Sequence, residues 1–348
     1  MKTKILLVAV SSFIIHHSSF GQGALTPPGA PALTMKTLAQ ISAQLDPRTP
    51  ISSVPFTINT PGSYYLTTNL TTTGSNPIVI TANGVTLDLG GFTIASTVAS
   101  AANGGYAILL AGTATADITI FNGHIRGGVT NNGNNVYGGS GFIGGIFYSG
   151  NFPVNVLVSK VSVSGCLNYG IFLNTGDSTV VEGCTAQTIG SYGIVASTVK
   201  SCGVADCGYN AIFGDQVSDC RGAATGIGTG ISAFTALNCS GVASGSGTGL
   251  YSFTAQNCYG ESSVGYGIDV NTAQNCYGIC DGSGYGLYAT YTASGCFGYS
   301  ITGTGLNAYN ASFCTGNRFH GTAIQATIAT GCIAYVGTNI VTYKYNMP

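Results

Sequence analysis

Cysteine is the residue type in this chain with the clearest chemical potential, because ten of its twelve cysteines recur at a nearly fixed interval. Cysteines can form disulfides, bind metal ions or pack as small hydrophobic side chains. The intervals are 18, 18, 18, 19, 19, 18, 20, 18 and 18 residues. A period this short, in a segment rich in glycine and poor in charge, predicts a solenoid whose coils each close in one turn. The ten cysteines are Cys166, Cys184, Cys202, Cys220, Cys239, Cys258, Cys276, Cys296, Cys314 and Cys332.

Two states of this cysteine ladder stay open from the sequence: several disulfide bridges, or a column of buried free thiols. Adjacent strands lie about 4.8 Å apart, within the roughly 4.4–6.8 Å between Cα atoms that a disulfide requires. Aligned Cβ atoms are slightly too far apart for an unstrained bridge, whereas an extracellular location favours oxidation. Zinc is not indicated, because Cys207 and Cys280 do not form the usual Cys-x2-Cys spacing with their neighbours. These two lie outside the regular series, and each is a candidate for a free surface thiol.

Ionisable side chains are scarce, which limits both catalysis and charged partners. Lys and Arg number 10, Asp and Glu number 11, and the formal net charge is −1. Binding to nucleic acid requires clustered Lys and Arg, and so does a basic membrane-binding face; neither partner is predicted. Four aspartates fall within a few predicted coils of Arg221, but their positions along the coils differ, so we interpret them as scattered solvent-facing charges: Asp177, Asp206, Asp215 and Asp219.

Aromatic side chains supply the remaining candidates for binding. Residues 127–154 are predicted to form a long loop, the kind of segment that often carries function on a rigid scaffold. Aromatics there can stack on sugar rings or pin the loop onto the adjacent sheet. A second set follows the cysteines directly and predicts an aromatic row on the outer face, suited to a glycan, to another protein or to stabilising the sheet. The candidates are Tyr137, Phe147 and Tyr148 in the loop, and Tyr259, Tyr277 and Phe297 in the row.

Short strands are the elements that must position these residues. Runs such as Phe56-Thr57-Ile58 are separated by Pro-Gly and Asn-Gly turn signals, and no helical period appears. An apolar residue three positions before each cysteine is predicted to face inward. A turn former directly before the cysteine predicts a corner with left-handed backbone. A second inward column predicts another strand, so stacked coils should build three parallel sheets: Ile171, Ile194, Ile212, Ile231, Leu250, Ile268, Leu287, Leu306 and Ile324.

The chain divides into three predicted segments. Residues 1–21 are typical of a secretory signal peptide, with two lysines, an apolar stretch and small residues in order. That stretch is shorter than the roughly 20 residues a bilayer span requires, so no membrane span is predicted. Residues 22–53 are rich in Pro and Ala and predict an extended arm with at most one helical turn. Residues 54–348 are predicted to form a single parallel β-helix domain.

The stretches Pro55 to Leu66 and Gly84 to Phe92 resemble the opening coils of secreted bacterial proteins of the pectate-lyase-like superfamily. The Ala-x-Asn-Cys corners resemble the asparagine-lined turns of the same fold. This resemblance covers roughly residues 54–340. It implies an all-β, right-handed parallel β-helix with 18–19-residue coils over the C-terminal half and longer, loop-bearing coils before them.

The resemblance also implies polysaccharide cleavage as an activity to examine. Calcium-dependent lyases of the superfamily gather carboxylates around Ca²⁺, and the hydrolases use paired carboxylates with Gly-His-Gly and Arg-x-Lys elements. The stretch Gly123-His124-Ile125-Arg126 matches these elements in part, and the chain has no Asp-Asp pair. His124 and Arg126 are thus the catalytic candidates, although a structural role at a coil corner is favoured for His124.

We therefore expect a secreted, extracellular or cell-surface protein that is structural or adhesive rather than catalytic, requires no cofactor or metal, and binds polysaccharide or assembles with itself. The alternative is a polysaccharide lyase or glycoside hydrolase that acts on an acidic glycan through the 124–154 region, with Ca²⁺ if it is a lyase. Converging carboxylates in a groove would favour the enzyme. A flat aromatic face or stacked ends would favour the first expectation.

Overall fold

The computed structural model describes residues 36–38, 40–41, 46–112, 115–150, 153–176 and 178–347, apart from the side chain of His320. The predicted signal peptide, most of the predicted arm and Asp177 lie outside the described residues. In the described part of the arm, the backbone is helical at Leu38, Gln40 and Ile41. Thr37 and Gln40 cap this turn reciprocally, because each backbone N–H donates to the other side chain.

The contacts divide the chain after Pro47, and the second unit, residues 48–348, is all-β in its described part. It contains one short 3-10 turn, Ala101–Asn103. No described helix is long and apolar enough to cross a membrane. The strands are β1 (Thr49–Ile51), β2 (Phe56–Ile58), β3 (Gly62–Leu66), β4 (Leu70–Thr72), β5 (Ile78–Ile80), β6 (Val85–Asp88), β7 (Thr93–Ser96), β8 (Tyr106–Leu110), β9 (Ala116–Arg126), β10 (Gly128–Asn131), β11 (Tyr137–Ser140), β12 (Gly144–Tyr148), β13 (Val154–Cys166), β14 (Tyr169–Phe172), β15 (Thr179–Glu182), β16 (Thr185–Ile189), β17 (Tyr192–Val195), β18 (Thr198–Lys200), β19 (Gly203–Cys207), β20 (Ile212–Ser218), β21 (Arg221–Ala224), β22 (Ile231–Leu237), β23 (Ser240–Ala243), β24 (Leu250–Gln256), β25 (Tyr259–Ser262), β26 (Ile268–Gln274), β27 (Tyr277–Cys280), β28 (Tyr285–Ser294), β29 (Phe297–Ser300), β30 (Thr304–Ser312), β31 (Thr315–Thr330) and β32 (Ile333–Tyr345).

Apart from β10 and β11, which form an antiparallel hairpin, the strands pair in parallel with the equivalent strands of neighbouring coils, which builds a β-solenoid of about 15 turns averaging about 19 residues. Three faces result. Face A contains β1, β3, β6, β15, β18, the first parts of β9 and β13 and the last parts of β20, β22, β24, β26, β28, β30, β31 and β32. Face B contains β4, β7, β16, β19, β21, β23, β25, β27, β29, the last parts of β9 and β13 and the first parts of β31 and β32. Face C contains β2, β5, β8, β12, β14, β17 and the remaining parts.

The parallel solenoid predicted from the sequence is confirmed, while its right-handed winding stays a prediction. The inward column of Ile and Leu lies in continuous register on face C, as in the pairs Ile212 with Ile231 and Ile231 with Leu250. All nine residues of this column are fully buried. Opposite them on face A, Val181, Val199 and the alanines that follow in the same register are also buried. In each of these coils the core thus contains an Ile or Leu from face C and a Val or Ala from face A, together with inward residues of the corner and of face B.

The corner between faces A and B follows the predicted turn chemistry. The residue before each cysteine adopts a left-handed backbone, with φ of 52° at Ser201, 54° at Asp219 and 53° at Asn238. Gly and Asn tolerate this region most readily. The left-handed residue turns the chain so that the following cysteine points inward.

Nine cysteines form one buried stack inside this corner, called here the cysteine column. The prediction that Cys166 belongs to it is wrong. Cys166 pairs with Ile189 at the far end of face B, and Ile189 pairs with Cys207. The left-handed Gly165 before it, with φ of 67°, makes a second bend with the same Gly-Cys sequence as the corner. The members are Cys184, Cys202, Cys220, Cys239, Cys258, Cys276, Cys296, Cys314 and Cys332.

The prediction that the two cysteines outside the regular series are surface thiols is wrong. Cys207 and Cys280 are fully buried, and they share with Cys166 a second inward column at the end of face B. All twelve cysteines are free and buried. Burial raises the pKa of Cys166 and of Cys207 to about 12, so both remain protonated near neutrality.

Glycines in the turns between faces B and C allow successive coils to touch backbone to backbone. A Cβ atom on Gly247 would overlap the carbonyl oxygen of Gly228. The same overlap recurs two coils later, between Gly284 and Gly265, and again in the next coil, between Gly303 and Gly284. The coil spacing at this edge thus depends on residues without side chains.

Candidate functional site

A shallow groove of about 900 Å³ runs along the outside of the corner between faces A and B. It begins at Ser201 and ends at Asn275 and Tyr277, so it crosses five successive coils. At about 4.8 Å per coil, four steps give it a length of roughly 19 Å. We call it the corner groove; its floor is the backbone of the cysteine column.

One edge of the corner groove is a row of amides. The Nδ2 atom of Asn238 donates to Oδ1 of Asp219 at 3.1 Å, and Nδ2 of Asn257 donates to Oδ1 of Asn238 at 3.2 Å. Asn275 continues the row by donating to Asn257 at 3.4 Å. These side chains are exposed, and each interior amide spends one N–H and one oxygen lone pair within the row. The other N–H and lone pair can bind a ligand.

The opposite edge comes from the first residues of face B strands, and there the predicted aromatic row is confirmed. The rings of Tyr259 and Tyr277 are stacked at 5.8 Å and 15°, and those of Tyr277 and Phe297 at 4.5 Å and 11°. Stacking covers both faces of Tyr277. Within the groove, the uncovered ring face is that of Tyr259, on the side of Ser240.

Tyr259 is held in place by a short hydrogen bond in which its hydroxyl donates to Oε2 of Glu261 at 2.6 Å. Burial, and then this carboxylate, raise the pKa of Tyr259, so the hydroxyl stays protonated and donating. The ring therefore has a fixed orientation along the solenoid.

An open step lies between Arg221 and Tyr259. Arg221 pairs in register with Ser240, and Ser240 pairs with Tyr259. The two larger side chains are thus two coils apart, about 10 Å, and only the small Ser240 lies between them. The guanidinium at one end can pair with a carboxylate, and the ring at the other end can cover an apolar surface.

A second depression, of about 560 Å³, adjoins the corner groove on face B. Gly203, Ala205 and Ala223 form its floor, and Arg221 lines both depressions. The small floor residues leave room for a ligand that continues from the groove across the face.

The catalytic candidates His124 and Arg126 lie away from the corner groove. Both are exposed on the outside of face B, on either side of the buried Ile125. They line a depression of about 300 Å³ with Thr93 and Ser164. The residues in register with the two are Thr93, Ala95, Ser162 and Ser164, none of which is acidic.

The expected corner position of His124 is wrong. Asn122, with φ of 63°, makes that corner, and Gly123 occupies the inward position in register with Val161. His124 is one residue further along and points outward, because side chains alternate along a strand.

Tyr137 does not present a ring for binding. It lies in a hairpin formed by β10 and β11, and its hydroxyl bonds to Asp206 at 2.7 Å and to Thr225 at 2.8 Å. Its Cβ atom lies close to Gly190 and its ring lies close to Gly208. Burial raises the pKa of Tyr137. The residue pins the hairpin onto the solenoid, which is the structural alternative considered for the loop aromatics.

Phe147 and Tyr148 belong to a face C strand rather than to a loop, so residues 127–154 are not the single loop expected. Tyr148 is 1% exposed, and its hydroxyl has no hydrogen-bond partner. Phe147 points outward, stacked on Tyr106 at 4.1 Å and on Phe172 at 5.4 Å. The run Ile146, Phe147, Tyr148 alternates inward and outward, a period-2 signal that identifies such a strand.

The described carboxylates do not assemble a metal site. Asp206 accepts hydrogen bonds from Tyr137 and Asn131, and Asp219 accepts one from Asn238. No group of three or more His, Cys, Asp or Glu within the described ranges is arranged to hold a metal ion. A Ca²⁺ site of the lyase type, which needs several converging oxygens, does not fit these residues.

No protein-family model, curated protein or solved structure matches this chain. Its place in the pectate-lyase-like superfamily and its bacterial origin therefore stay predictions from the sequence. The corner groove was visible in part, since Asp219, Asn238, Asn257 and Asn275 directly precede cysteines. From the sequence, the three asparagines are predicted only to form turns, and Asp219, close to Arg221, is predicted to be a scattered solvent-facing charge.

Proposed function

We propose that this protein is a secreted, non-catalytic structural or adhesive β-solenoid that binds acidic polysaccharide along the corner groove. One observation carries the proposal: an exposed amide row, the Arg221 guanidinium and an uncovered face of Tyr259 line the same open groove. Amides exchange hydrogen bonds with sugar hydroxyls. The guanidinium pairs with carboxylates, and the aromatic face packs on the apolar face of a sugar ring.

The composition of the groove supports binding rather than cleavage. Asp219 is the single carboxylate among its described lining residues, and Asn238 already donates to it. Glycoside hydrolysis uses two carboxyl groups roughly 5–9.5 Å apart across the scissile bond. Arg126 and His124 lie four coils from Arg221 and face no acidic residue in register. The lyase or hydrolase alternative therefore depends on fold analogy, which is weak evidence for function.

Export is part of the proposal and is supported by the signal-peptide pattern of residues 1–21. An extracellular or cell-surface location would bring the groove into contact with polysaccharides. The surface carries few charges. This composition suits a protein that is held among polysaccharides by many weak contacts rather than by one electrostatic patch.

Affinity electrophoresis in gels containing a polyuronate tests the groove. Arg221→Gln removes the guanidinium, and loss of a charge-assisted hydrogen bond should weaken retardation about tenfold. Tyr259→Ala removes the ring and should weaken it by a similar factor. The matched controls are Arg126→Gln on the same face and Tyr291→Ala, an exposed tyrosine elsewhere, and both should migrate like the parent protein. Equal losses in the controls, or no retardation of the parent, would contradict the proposal.

Self-association is a second candidate, favoured by strand β32. Ile333–Tyr345 pairs with β31 on one side, and no other described strand pairs with it. It exposes Tyr335, at 76%, together with Ile340 and Tyr343. An exposed apolar strand edge is a template for pairing with another chain. Sedimentation velocity should show concentration-dependent oligomers that Ile340→Lys abolishes; a monomer at all concentrations would refute self-association.

A further inference from the structure

A carboxylate on face C lies between tyrosines on both neighbouring coils. Asp269, in β26, pairs in register with Tyr251 on one side and with Tyr288 on the other. The three side chains point outward, because the residues next to them in each strand, Ile268 and Val270 for Asp269, are buried. This column is separate from the corner groove, which lies between faces A and B.

Asp269 is half-buried and has no hydrogen-bond or ion-pair partner among the described residues. Tyrosines occupy both positions in register with Asp269. None of the non-buried residues flanking these positions on the three coils is a lysine or arginine; besides tyrosines they include Thr248, Phe253, Asn271 and Thr290. Burial raises the pKa of Asp269. A charge that is partly removed from water without a partner is destabilising, so the site gains from a cation that binds beside it.

Tyrosine rings cluster beside the position of Asp269 on face C. Tyr266 and Tyr285 stack at 5.4 Å and 9°, and Tyr288 contacts both, at 5.9 Å and 52° and at 5.4 Å and 61°. These three rings form one cluster, with Tyr266 on the coil of Asp269 and with Tyr285 and Tyr288 on the later coil. Tyr251, on the earlier coil, is 52% exposed and makes no ring contact. Its ring remains available to a ligand.

We propose that Asp269 and these tyrosines bind the quaternary ammonium group of a small ligand. Neighbouring coils are about 4.8 Å apart, so a cation over Asp269 lies roughly 5 Å from the levels of Tyr251 and Tyr288. Cation–π attraction acts within about 6 Å of a ring. The carboxylate supplies the opposite charge that the rings alone lack.

The donors and acceptors of the site select a quaternary rather than a primary ammonium. A primary ammonium carries three N–H donors, each of which needs an acceptor when water is displaced. The site offers one carboxylate and mainly aromatic ring surface, and its other acceptors are the tyrosine hydroxyls at the outer ends of the rings. A trimethylammonium group has no N–H donor and presents methyl groups to the rings, so it loses no hydrogen bond on entering.

Isothermal titration calorimetry of the full chain with choline tests this site. We expect saturable binding with Kd on the order of 1 mM. The uncharged carbon isostere 3,3-dimethylbutan-1-ol has the same shape without the charge and should bind at least tenfold more weakly. Equal binding of the two compounds, or no binding of choline, would overturn the proposal.

Variants separate the site from general effects on the protein. Asp269→Asn is isosteric and should weaken choline binding at least tenfold, and Tyr251→Leu, at an exposed position, about fivefold. Asp281→Asn removes another exposed carboxylate and should leave Kd unchanged. A loss in Asp281→Asn equal to that in Asp269→Asn would show non-specific charge attraction and would refute the site. Polyuronate binding by Asp269→Asn should equal that of the parent, because the corner groove is elsewhere.

Discussion

Adding one methyl group to the turn between faces B and C should destabilise the solenoid sharply. In Gly247→Ala the new Cβ would lie well within 3.0 Å of the Gly228 carbonyl oxygen, a separation that real Cβ atoms essentially never show. The obstructing atom is backbone of the preceding coil, so it cannot swing away as a side chain would. Relief requires the two coils to move apart by more than an ångström, against a spacing of about 4.8 Å.

Overpacking of this kind typically lowers the free energy of unfolding by about 1–3 kcal/mol. Because the obstructing atom is backbone, we expect a loss of about 3 kcal/mol for Gly247→Ala. The matched control is Gly203→Ala. Gly203 has an ordinary φ, and its Cβ would meet nothing within 4 Å. That substitution should be neutral or stabilising by about 0.4–1 kcal/mol, because alanine has less conformational freedom than glycine in the unfolded chain.

Urea unfolding followed by far-ultraviolet circular dichroism measures both variants against the parent. The slope of the transition should be compared as well as its midpoint, since a solenoid can unfold in parts. A large fall in midpoint for Gly247→Ala beside an unchanged or higher midpoint for Gly203→Ala is the predicted result. Equal effects of the two variants would refute the argument that close coil stacking requires glycine at residue 247.

Two further predictions concern buried polar groups. Burial raises the pKa of Cys166 and Cys207 from 9.0 to about 12, so the folded state holds these protons more tightly than the unfolded chain. The unfolding free energy should therefore be constant below about pH 8 and fall as pH rises above 9, by about 2 kcal/mol per thiol at pH 10.5; a urea midpoint that does not change between pH 8 and 10.5 would contradict this. Tyr148→Phe removes a buried hydroxyl that has no partner and should leave stability unchanged or raise it by about 1 kcal/mol. A clear loss of stability on urea unfolding would show that the hydroxyl is bonded after all.

The sequence predicted the solenoid well because its coils repeat. The 18–20-residue interval, the inward column of Ile and Leu, and the left-handed residue before each cysteine are local features that need no tertiary information. Cys166 shows where this reasoning fails. Its Gly-Cys sequence and its distance of 18 residues from Cys184 fit the corner, yet Lys160, with φ of 53°, makes the corner in that coil. Two bends with similar sequences cannot be distinguished by spacing alone.

The candidate site was harder to predict because it depends on which coils align and which direction each side chain takes. Tyr148 was assigned to a binding loop although the alternation of its neighbours places it in the core. The row Tyr259, Tyr277 and Phe297 was predicted correctly, but stacking leaves a ring face open only at its ends. Arg221 indicates a binding site only once the structure shows that the small Ser240 separates it from Tyr259. That arrangement joins three coils and has no signature within any one of them.

We propose that the corner groove holds a polysaccharide without cleaving it, and incubation of the protein with a soluble polyuronate tests this most directly. Binding and polymer length would be measured in the same sample by size-exclusion chromatography with light scattering. We expect the polymer to elute with the parent protein, to separate from Arg221→Gln, and to keep its original length in both samples. Shortened polymer in the parent sample would contradict the proposal and show that the protein is an enzyme. Failure of the parent protein to bind the polymer would refute the proposed role of the corner groove.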